Sequence, residues 1–264
     1  MNLLQNKKTI IILSLVSIVC IAVILKYTLV KTENFTNYDN FEYSDKMSVD
    51  DIKNLKKGQV KMTNMFKEFN RICRKYNLKY WCTGGTLIGV LRHKGWIPWD
   101  GDIDIAMLEE DHDKLKTIIQ KELPENMWYQ TSKTDKYYKR PPGNNNPLPV
   151  GKLRDLNSCY VKSQDGLQWH NGLQIDVFLF NRIGSMLKPK GYVGDLRDVS
   201  YDVIFPLREK QFENIKVYIP NKYEYYSKIS WGNYPPPLIA INNRYPHEGK
   251  IDPNQTCNHH KKMY

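Results

Sequence analysis

Apolar residues recur at three- and four-residue steps in three parts of the chain, which is the spacing of amphipathic helices. These parts cover residues 50–76, 111–123 and 221–230. The pair Ser48 and Asp51 forms a capping-box sequence and predicts where the first helix begins. A shorter helix is predicted over residues 86–92.

Shorter apolar runs predict strands between these helices. The runs cover residues 78–83, 150–153, 158–162 and 173–180. The second and third of them are expected to pair with each other. Ile103 and Ile105 alternate with acidic residues, which is the period of a further strand. Because strands and helices alternate, the predicted class is α/β or α+β, with a mixed sheet flanked by helices.

One long uncharged run, residues 9–25, stands near the N-terminus between lysines. As a helix it would span about 25 Å, which is at the short end of the range of lengths that can cross a bilayer. No Ala-x-Ala pattern follows it, so a retained signal anchor is favoured over a cleaved signal peptide. The predicted organisation is a cytoplasmic tail over residues 1–8, the transmembrane anchor over 9–25, a stem over 26–47 and one domain over 48–264.

A signal anchor followed by a long C-terminal part predicts a single-pass type II membrane protein. Its domain would lie in the lumen of the Golgi or endoplasmic reticulum. Sequons at Asn34 and Asn254 fit this location as predicted glycosylation sites, although chance sequons are common in an Asn-rich chain.

Four cysteines follow the apolar run, and they leave three disulfide pairings open. They are Cys73, Cys82, Cys159 and Cys257. Free buried thiols are an equally open alternative. Cys257 stands near His259 and His260, but a frayed, solvated tail is favoured there over a metal cluster.

The composition is that of a globular protein, with 41% hydrophobic and 12% aromatic residues. It excludes disorder throughout the chain and a collagen-like structure. The net charge of +11 indicates anionic partners such as nucleotides, phosphates, nucleic acid or anionic lipid. The expected luminal location opposes nucleic acid among them.

The most informative chemistry lies in the acidic strand. Asp102 and Asp104 are two residues apart and therefore project from one face. Two such carboxylates repel unless a cation lies between them, and Mg²⁺ or Mn²⁺ is the natural partner. Asp176 interrupts another apolar strand, where a lone charge is costly to bury. If the two strands are neighbours, the three acids form one metal site. The alternative is a capped turn plus one buried, hydrogen-bonded aspartate.

Glycines between the first strand and the short helix suggest a phosphate site. In Gly84-Gly85-Thr86 the backbone N–H groups could approach a phosphate at a helix N-terminus. Basic side chains that could neutralise a donor diphosphate, or be ordinary surface charges, are Arg92, Lys94, Lys152 and Arg154. The order of Gly-Gly-Thr, Asp-x-Asp and a third strand Asp is the layout of a nucleotidyltransferase-like fold.

A resemblance to a known family adds to these patterns. The stretch GTLIGVLRHKGWIPWDGDIDIAM at residues 85–107 closely resembles the signature of the LicD family. That family includes bacterial phosphorylcholine transferases and the fukutin and fukutin-related proteins of animals. The likeness continues in GKLRD at residues 151–155 and GLQIDVF at residues 172–178.

The resemblance implies a nucleotidyltransferase-type fold and a transferase activity. Family members transfer a phosphoalcohol from a CDP-activated donor to a sugar hydroxyl, with a metal ion. The matching positions imply metal binding by Asp102, Asp104 and Asp176, which are also the implied catalytic residues, with a supporting role for Asp100. Many members have Asp where this chain has Gly101.

The expected partners are therefore a CDP-activated alcohol donor, a glycan or glycoprotein acceptor and the membrane, without nucleic acid. Two alternatives stay open. One is an Asp-x-Asp glycosyltransferase, which the glycine turn ahead of the acids disfavours. The other is a membrane-anchored, glycan-binding pseudoenzyme, against which the intact acids argue.

Overall fold

The computed structural model of this protein describes residues 41–135, 138–139, 149–160, 172–191, 196–234 and 236–257. The predicted anchor, most of the predicted stem and Asn34 lie outside these residues. Within the described ranges, no helix is both long enough and apolar enough to cross a membrane.

The helices of the described residues agree with the periodicity of the sequence. They are α1 (Val49–Lys75), α2 (Gly84–His93), α3 (Glu109–Glu122), α4 (Tyr201–Ile204) and α5 (Tyr223–Trp231). The predicted capping box is present at α1, where Ser48 Oγ accepts a hydrogen bond from Asp51 N and Asp51 Oδ2 accepts one from Ser48 N. Helix α2 begins earlier than predicted and includes the Gly84-Gly85 pair in its first turn.

The strands form one mixed sheet and two small antiparallel pairs. They are β1 (Tyr80–Cys82), β2 (Ile103–Leu108), β3 (Met127–Gln130), β4 (Gly151–Asp155), β5 (Cys159–Tyr160), β6 (Gln174–Ile183), β7 (Met186–Lys190), β8 (Val199–Ser200), β9 (Arg208–Phe212), β10 (Ile215–Ile219) and β11 (Ile251–Asp252). The main sheet has the order β1-β2-β6-β4-β3, and β7 joins β6 to β8. Among the described strands, β2 and β6 run parallel, and the other pairs are antiparallel. The expected mixed sheet with helices is confirmed.

The hydrophobic core lies between the main sheet and α1. Met62, Phe66 and Phe69 of the apolar stripe of α1 are fully buried. Seven consecutive residues of β6 are buried, as expected for a central strand covered on both faces. This buried position is what makes the one acidic residue of that run, Asp176, informative.

Two sequence-based expectations are wrong. Within the described residues, the predicted segments 150–153 and 158–162 do not pair, because β4 lies between β3 and β6 while β5 pairs with β11. Cys257 is not part of a frayed tail but is buried in a disulfide with Cys159. A short strand has few residues with which to specify its partner, so its pairing depends on the tertiary fold. Cys73 and Cys82 are free and buried, and His259 and His260 lie outside the described residues.

Candidate functional site

The parallel pairing of β2 and β6 brings the predicted acids together. Asp104 lies directly opposite Asp176 in the register of these strands. Asp102 precedes β2 and shares the face of Asp104. Carboxylate oxygens of Asp102, Asp104 and Asp176 all lie within 4.8 Å of one another. Such a separation fits several carboxylates around one divalent cation, with each oxygen 2.0 to 2.6 Å from the ion.

The start of α2 packs directly against these acids. Thr83 N donates to Asp104 O at 3.2 Å, and Asp104 N donates to Thr86 Oγ1 at 2.8 Å. Gly84 has a φ of +52°, and a Cβ there would overlap Oδ2 of Asp104. The N-terminal end of the helix therefore lies beside the carboxylates.

The second glycine has a similar neighbour. A Cβ at Gly85 would overlap Oδ2 of Asp100. Both glycines thus have a structural reason to lack a side chain, which is the approach of two carboxylates. The prediction that this turn also cradles a phosphate stays a prediction.

Hydrogen bonds from two other elements fix the loop that carries Asp100. Gln59 of α1 donates through Nε2 to the carbonyl oxygens of Ile97, Pro98 and Asp100 at 3.0 to 3.3 Å. The hydroxyl of Tyr160 donates to Gly101 O at 2.7 Å. The loop that immediately precedes Asp102 is therefore fixed by hydrogen bonds from both α1 and β5.

Burial and mutual repulsion perturb the titration of these acids. Burial is the main cause that raises the pKa of Asp102 well above its usual range, with Glu248 and Asp104 adding to it. Burial also raises the pKa of Asp104, and Asp176 adds to it. Burial together with Glu248 raises the pKa of Asp100 to about 7. A bound divalent cation would oppose these shifts, because it favours the ionised carboxylates.

Two of the predicted basic residues lie inside the sheet. Lys152 lies opposite Asp176 on β4, is fully buried and forms an ion pair with it. Burial lowers the pKa of this lysine. Arg154 is also fully buried, and it donates to Gln130 Oε1, Gly172 O and Gln174 Oε1 at 2.7 to 3.1 Å. Both residues are thus held by the fold, and their predicted contact with a donor phosphate stays a prediction.

The other two predicted basic residues flank the end of α2. The guanidinium of Arg92 donates to the carbonyl oxygens of Pro236 and Pro237. Lys94 ends the helix in a left-handed conformation with a φ of 57°, and its side chain is exposed. Predicted phosphate binding by Arg92 and Lys94 likewise stays a prediction.

Sequence reasoning missed two ligand-type residues at this site. His247 and Glu248 come from the C-terminal segment, and together with Asp102 they form a second group whose possible ligand atoms lie within 4.8 Å of one another. No spacing motif connects these residues with the Asp-x-Asp strand, because 144 positions separate Asp104 from Glu248. An isolated His-Glu pair carries no specific signal.

The residues present fit a hard divalent cation. Asp102, Asp104 and Asp176 offer closely spaced carboxylate oxygens, the ligand type that Mg²⁺ and Mn²⁺ prefer. Neither carboxylate oxygen of the buried Glu248 has a hydrogen-bond partner in the part of the chain that the structure describes. Such a concentration of negative charge requires compensation by bound cations or protons.

Comparisons with known proteins identify the family of this chain. A family model described as LicD/FKTN/FKRP, nucleotidyltransferase domain, matches residues 77–222, which is more than half of the chain. Lipopolysaccharide cholinephosphotransferase LicD of Haemophilus influenzae is 26% identical over 157 residues, or 59% of this chain and 50% of that protein. An uncharacterised protein of Rickettsia typhi is 26% identical over 165 residues, or 62% of this chain and 43% of that protein. An uncharacterised protein of Rickettsia prowazekii is 38% identical over 63 residues, or 24% of each.

This chain spans half the length, or less, of these relatives. The matched family domain nevertheless contains β2 and β6 with all three aspartates of the site. The N-terminal end of α2 also lies within it. The resemblance inferred from the sequence is therefore confirmed, and the chain belongs to the LicD family.

Proposed function

We propose that this protein is a metal-dependent transferase that moves a phosphoalcohol from a CDP-activated donor to a hydroxyl group of a glycan. The observation that carries the proposal is the group of three carboxylates on the adjacent strands β2 and β6, beside the N-terminal end of α2. Membership of the LicD family supports the transferase class. The name of the Haemophilus influenzae relative supports phosphocholine as one group that such a domain transfers.

In this proposal Asp102, Asp104 and Asp176 hold Mg²⁺ or Mn²⁺, and Asp100 supports them. A bound cation would supply Lewis-acid stabilisation of the negative charge on the diphosphate. The backbone N–H groups at the start of α2 would bind a donor phosphate, because a helix N-terminus favours an anion. Arg92 and Lys94 extend from the other end of that helix and would add positive charge.

The reaction exchanges one phosphorus–oxygen bond for another. The acceptor hydroxyl oxygen forms a bond to the phosphorus that carries the alcohol, and the bond from this phosphorus to the CMP oxygen breaks. Asp176 is proposed to accept the proton of the hydroxyl group, and CMP leaves with the electron pair of the broken bond. The ion pair with Lys152 fixes the orientation of the Asp176 carboxylate for this role.

The proposed setting is the lumen of the Golgi or endoplasmic reticulum, with residues 9–25 as a type II anchor. Asn254 is exposed, which is compatible with the glycosylation proposed there. Asn34 is the second proposed glycosylation site. Peptide mapping of the protein after secretory expression, with and without a glycosidase, tests both sites.

Calorimetric titration of the full chain tests the proposed donor. The ligands are CDP-choline, CDP-ribitol, CDP-glycerol and GDP-mannose, each with Mn²⁺ and with EDTA. We expect one CDP-alcohol to bind only with Mn²⁺, and Asp104→Asn to weaken that binding at least tenfold. Asp113→Asn, on the exposed side of α3, is the matched control and should bind normally.

Each other outcome contradicts the proposal in a different way. Metal-dependent binding of GDP-mannose alone would favour a glycosyltransferase. Failure of every nucleotide to bind, by a protein that still binds glycan, would favour a pseudoenzyme. Transfer from the bound CDP-alcohol to a glycan acceptor, followed by release of CMP, completes the test.

A further inference from the structure

We propose that Asp102, His247 and Glu248 form a second cation site, which takes a divalent transition-metal ion such as Mn²⁺. The inference extends the proposed function, with which it shares Asp102. The possible ligand atoms of the three residues lie within 4.8 Å of one another. His247 and Glu248 lie beyond the matched family domain, residues 77–222, so this site would be a property of this chain's own C-terminal segment.

The buried carboxylate of Glu248 is the main observation for this site. Its side chain has an exposed fraction of 0%, and its oxygens have close contacts with Asp102 and His247, the other members of the group, but no hydrogen bond of normal geometry from a described residue. Among the described residues, its cationic contact is an ion pair with His247 Nε2. A buried carboxylate is unfavourable unless hydrogen bonds or a cation compensate its charge. In the proposed site an ion between Glu248 and Asp102 would take over this compensation from His247.

The glycine before Asp102 gives Glu248 its place. A Cβ at Gly101 would overlap Oε2 of Glu248 and would lie 3.0 Å from Cβ of Pro246. The carboxylate thus occupies the space that a side chain at position 101 would fill. In this way an acid from the end of the chain reaches the Asp-x-Asp strand.

The segment that carries Glu248 is firmly attached to the domain. Strand β11 pairs with β5, and a disulfide joins Cys257 to Cys159. Lys250 Nζ contacts Asp51 Oδ2 of α1 at 2.6 Å. These contacts, made by residues shortly after Glu248, attach the segment to β5 and to α1.

Geometry points to two ions rather than one. The two groups of possible ligand atoms share only Asp102, so they describe two cation positions. Neutral imidazole is the form that binds metals, so the second ion would take the place of the proton in the contact between His247 and Glu248.

The ligand types also suggest that the two sites differ in preference. The three-aspartate site offers oxygen alone, whereas the second site offers two carboxylates and one imidazole. Imidazole favours transition-metal ions over Mg²⁺ and Ca²⁺. Mn²⁺ accepts both ligand types and is therefore the probe for the experiment.

The test counts bound Mn²⁺ and detects the histidine ligand. Calorimetry of the full chain should give two Mn²⁺ ions for the unmodified protein and one for Glu248→Gln. His247→Gln should weaken the second ion at least tenfold. Pulsed electron paramagnetic resonance should show nitrogen coupling to Mn²⁺, which His247→Gln abolishes. Glu125→Gln, in an exposed loop, is the matched control and should behave as the unmodified protein.

The same measurements separate this inference from the proposed function. Asp104→Asn should remove the ion of the three-aspartate site and leave the nitrogen-coupled ion. The second site would be overturned if the unmodified protein binds one Mn²⁺ ion, without nitrogen coupling, and if Asp104→Asn abolishes this binding while Glu248→Gln does not change it. The proposed function would still stand in that case. If Glu248→Gln does not fold, the His247→Gln variant provides the test of the second site. The side chain of His247 is 75% exposed, so its replacement should not disturb packing. Unchanged binding and coupling in His247→Gln would likewise overturn the proposal.

Discussion

Replacing Lys152 by methionine should strongly destabilise the metal-free protein. The side chain of Lys152 has an exposed fraction of 0%, and that of its partner Asp176 has 9%. Methionine keeps most of the volume but removes the ammonium group, so the Asp176 carboxylate remains beside Asp104 without its counter-ion. Breaking a buried ion pair from one side costs about 3–5 kcal/mol. That is a large fraction of the total stability of a typical domain, about 5–15 kcal/mol.

Urea denaturation in EDTA measures this loss. Lys188→Met is the matched control, because Lys188 forms an ion pair with Asp198 at 3.5 Å but both side chains are about half exposed, at 50% and 53%. Exposed pairs contribute about 0–1 kcal/mol, so the control should lose little. The double variant Lys152→Met with Asp176→Asn should regain much of the stability, because it removes both charges.

Addition of Mn²⁺ gives a second readout. Ion binding at 100 times its dissociation constant adds about 2.7 kcal/mol to stability. The gain should be larger in Lys152→Met than in the unmodified protein, because the ammonium no longer competes for Asp176. A loss under about 1 kcal/mol in EDTA, or equal gains from Mn²⁺ in both proteins, would refute the electrostatic reasoning.

Three further predictions follow from the same site. Gly84→Ala should lower stability by about 1–2 kcal/mol and weaken Mn²⁺ binding measured by calorimetry, because the added Cβ displaces Asp104. Gly184→Ala is the control, because Gly184 has a similar φ of +61° but open space around it, and this variant should bind Mn²⁺ normally. The metal-free protein should lose stability to urea as pH rises from about 4 to 7, because burial and Glu248 raise the pKa of Asp100 to about 7. In this pH range the folded state holds a proton that the unfolded chain releases. Saturating Mg²⁺ should remove this pH dependence of stability. Gln59→Leu should cost about 1–3 kcal/mol in thermal unfolding, because it leaves buried loop carbonyls without a donor, and an unchanged melting temperature would contradict that role.

Local patterns in the sequence were sufficient for much of the fold. The stripe of α1 and its capping box at Ser48 depend only on residues three or four positions apart, so the sequence predicted this helix within one residue at each end. Alternation around Asp102 and Asp104 likewise placed both acids on one face of a strand. Such features are decided by the period of a single element.

Short strands were less predictable for the same reason. The two-residue strands β5 and β11 have too few positions to display a period. Their pairing is supported by contacts distant in the chain, including the disulfide between Cys159 and Cys257. The wrong prediction that segments 150–153 and 158–162 pair followed from treating neighbours in sequence as neighbours in the sheet.

The features of the candidate site likewise differ in whether a local sequence pattern or the tertiary fold sets them. Sequence patterns were enough to predict that two acids share a strand face, that a third acid lies in a buried strand and that a glycine turn precedes a short helix. The three-dimensional fold was needed to place Asp104 opposite Asp176, to pair Lys152 of β4 with that aspartate, and to bring Glu248 into the space beside Gly101. The physical reason is that strand order and register are set by burial of the whole sheet, which no single segment encodes.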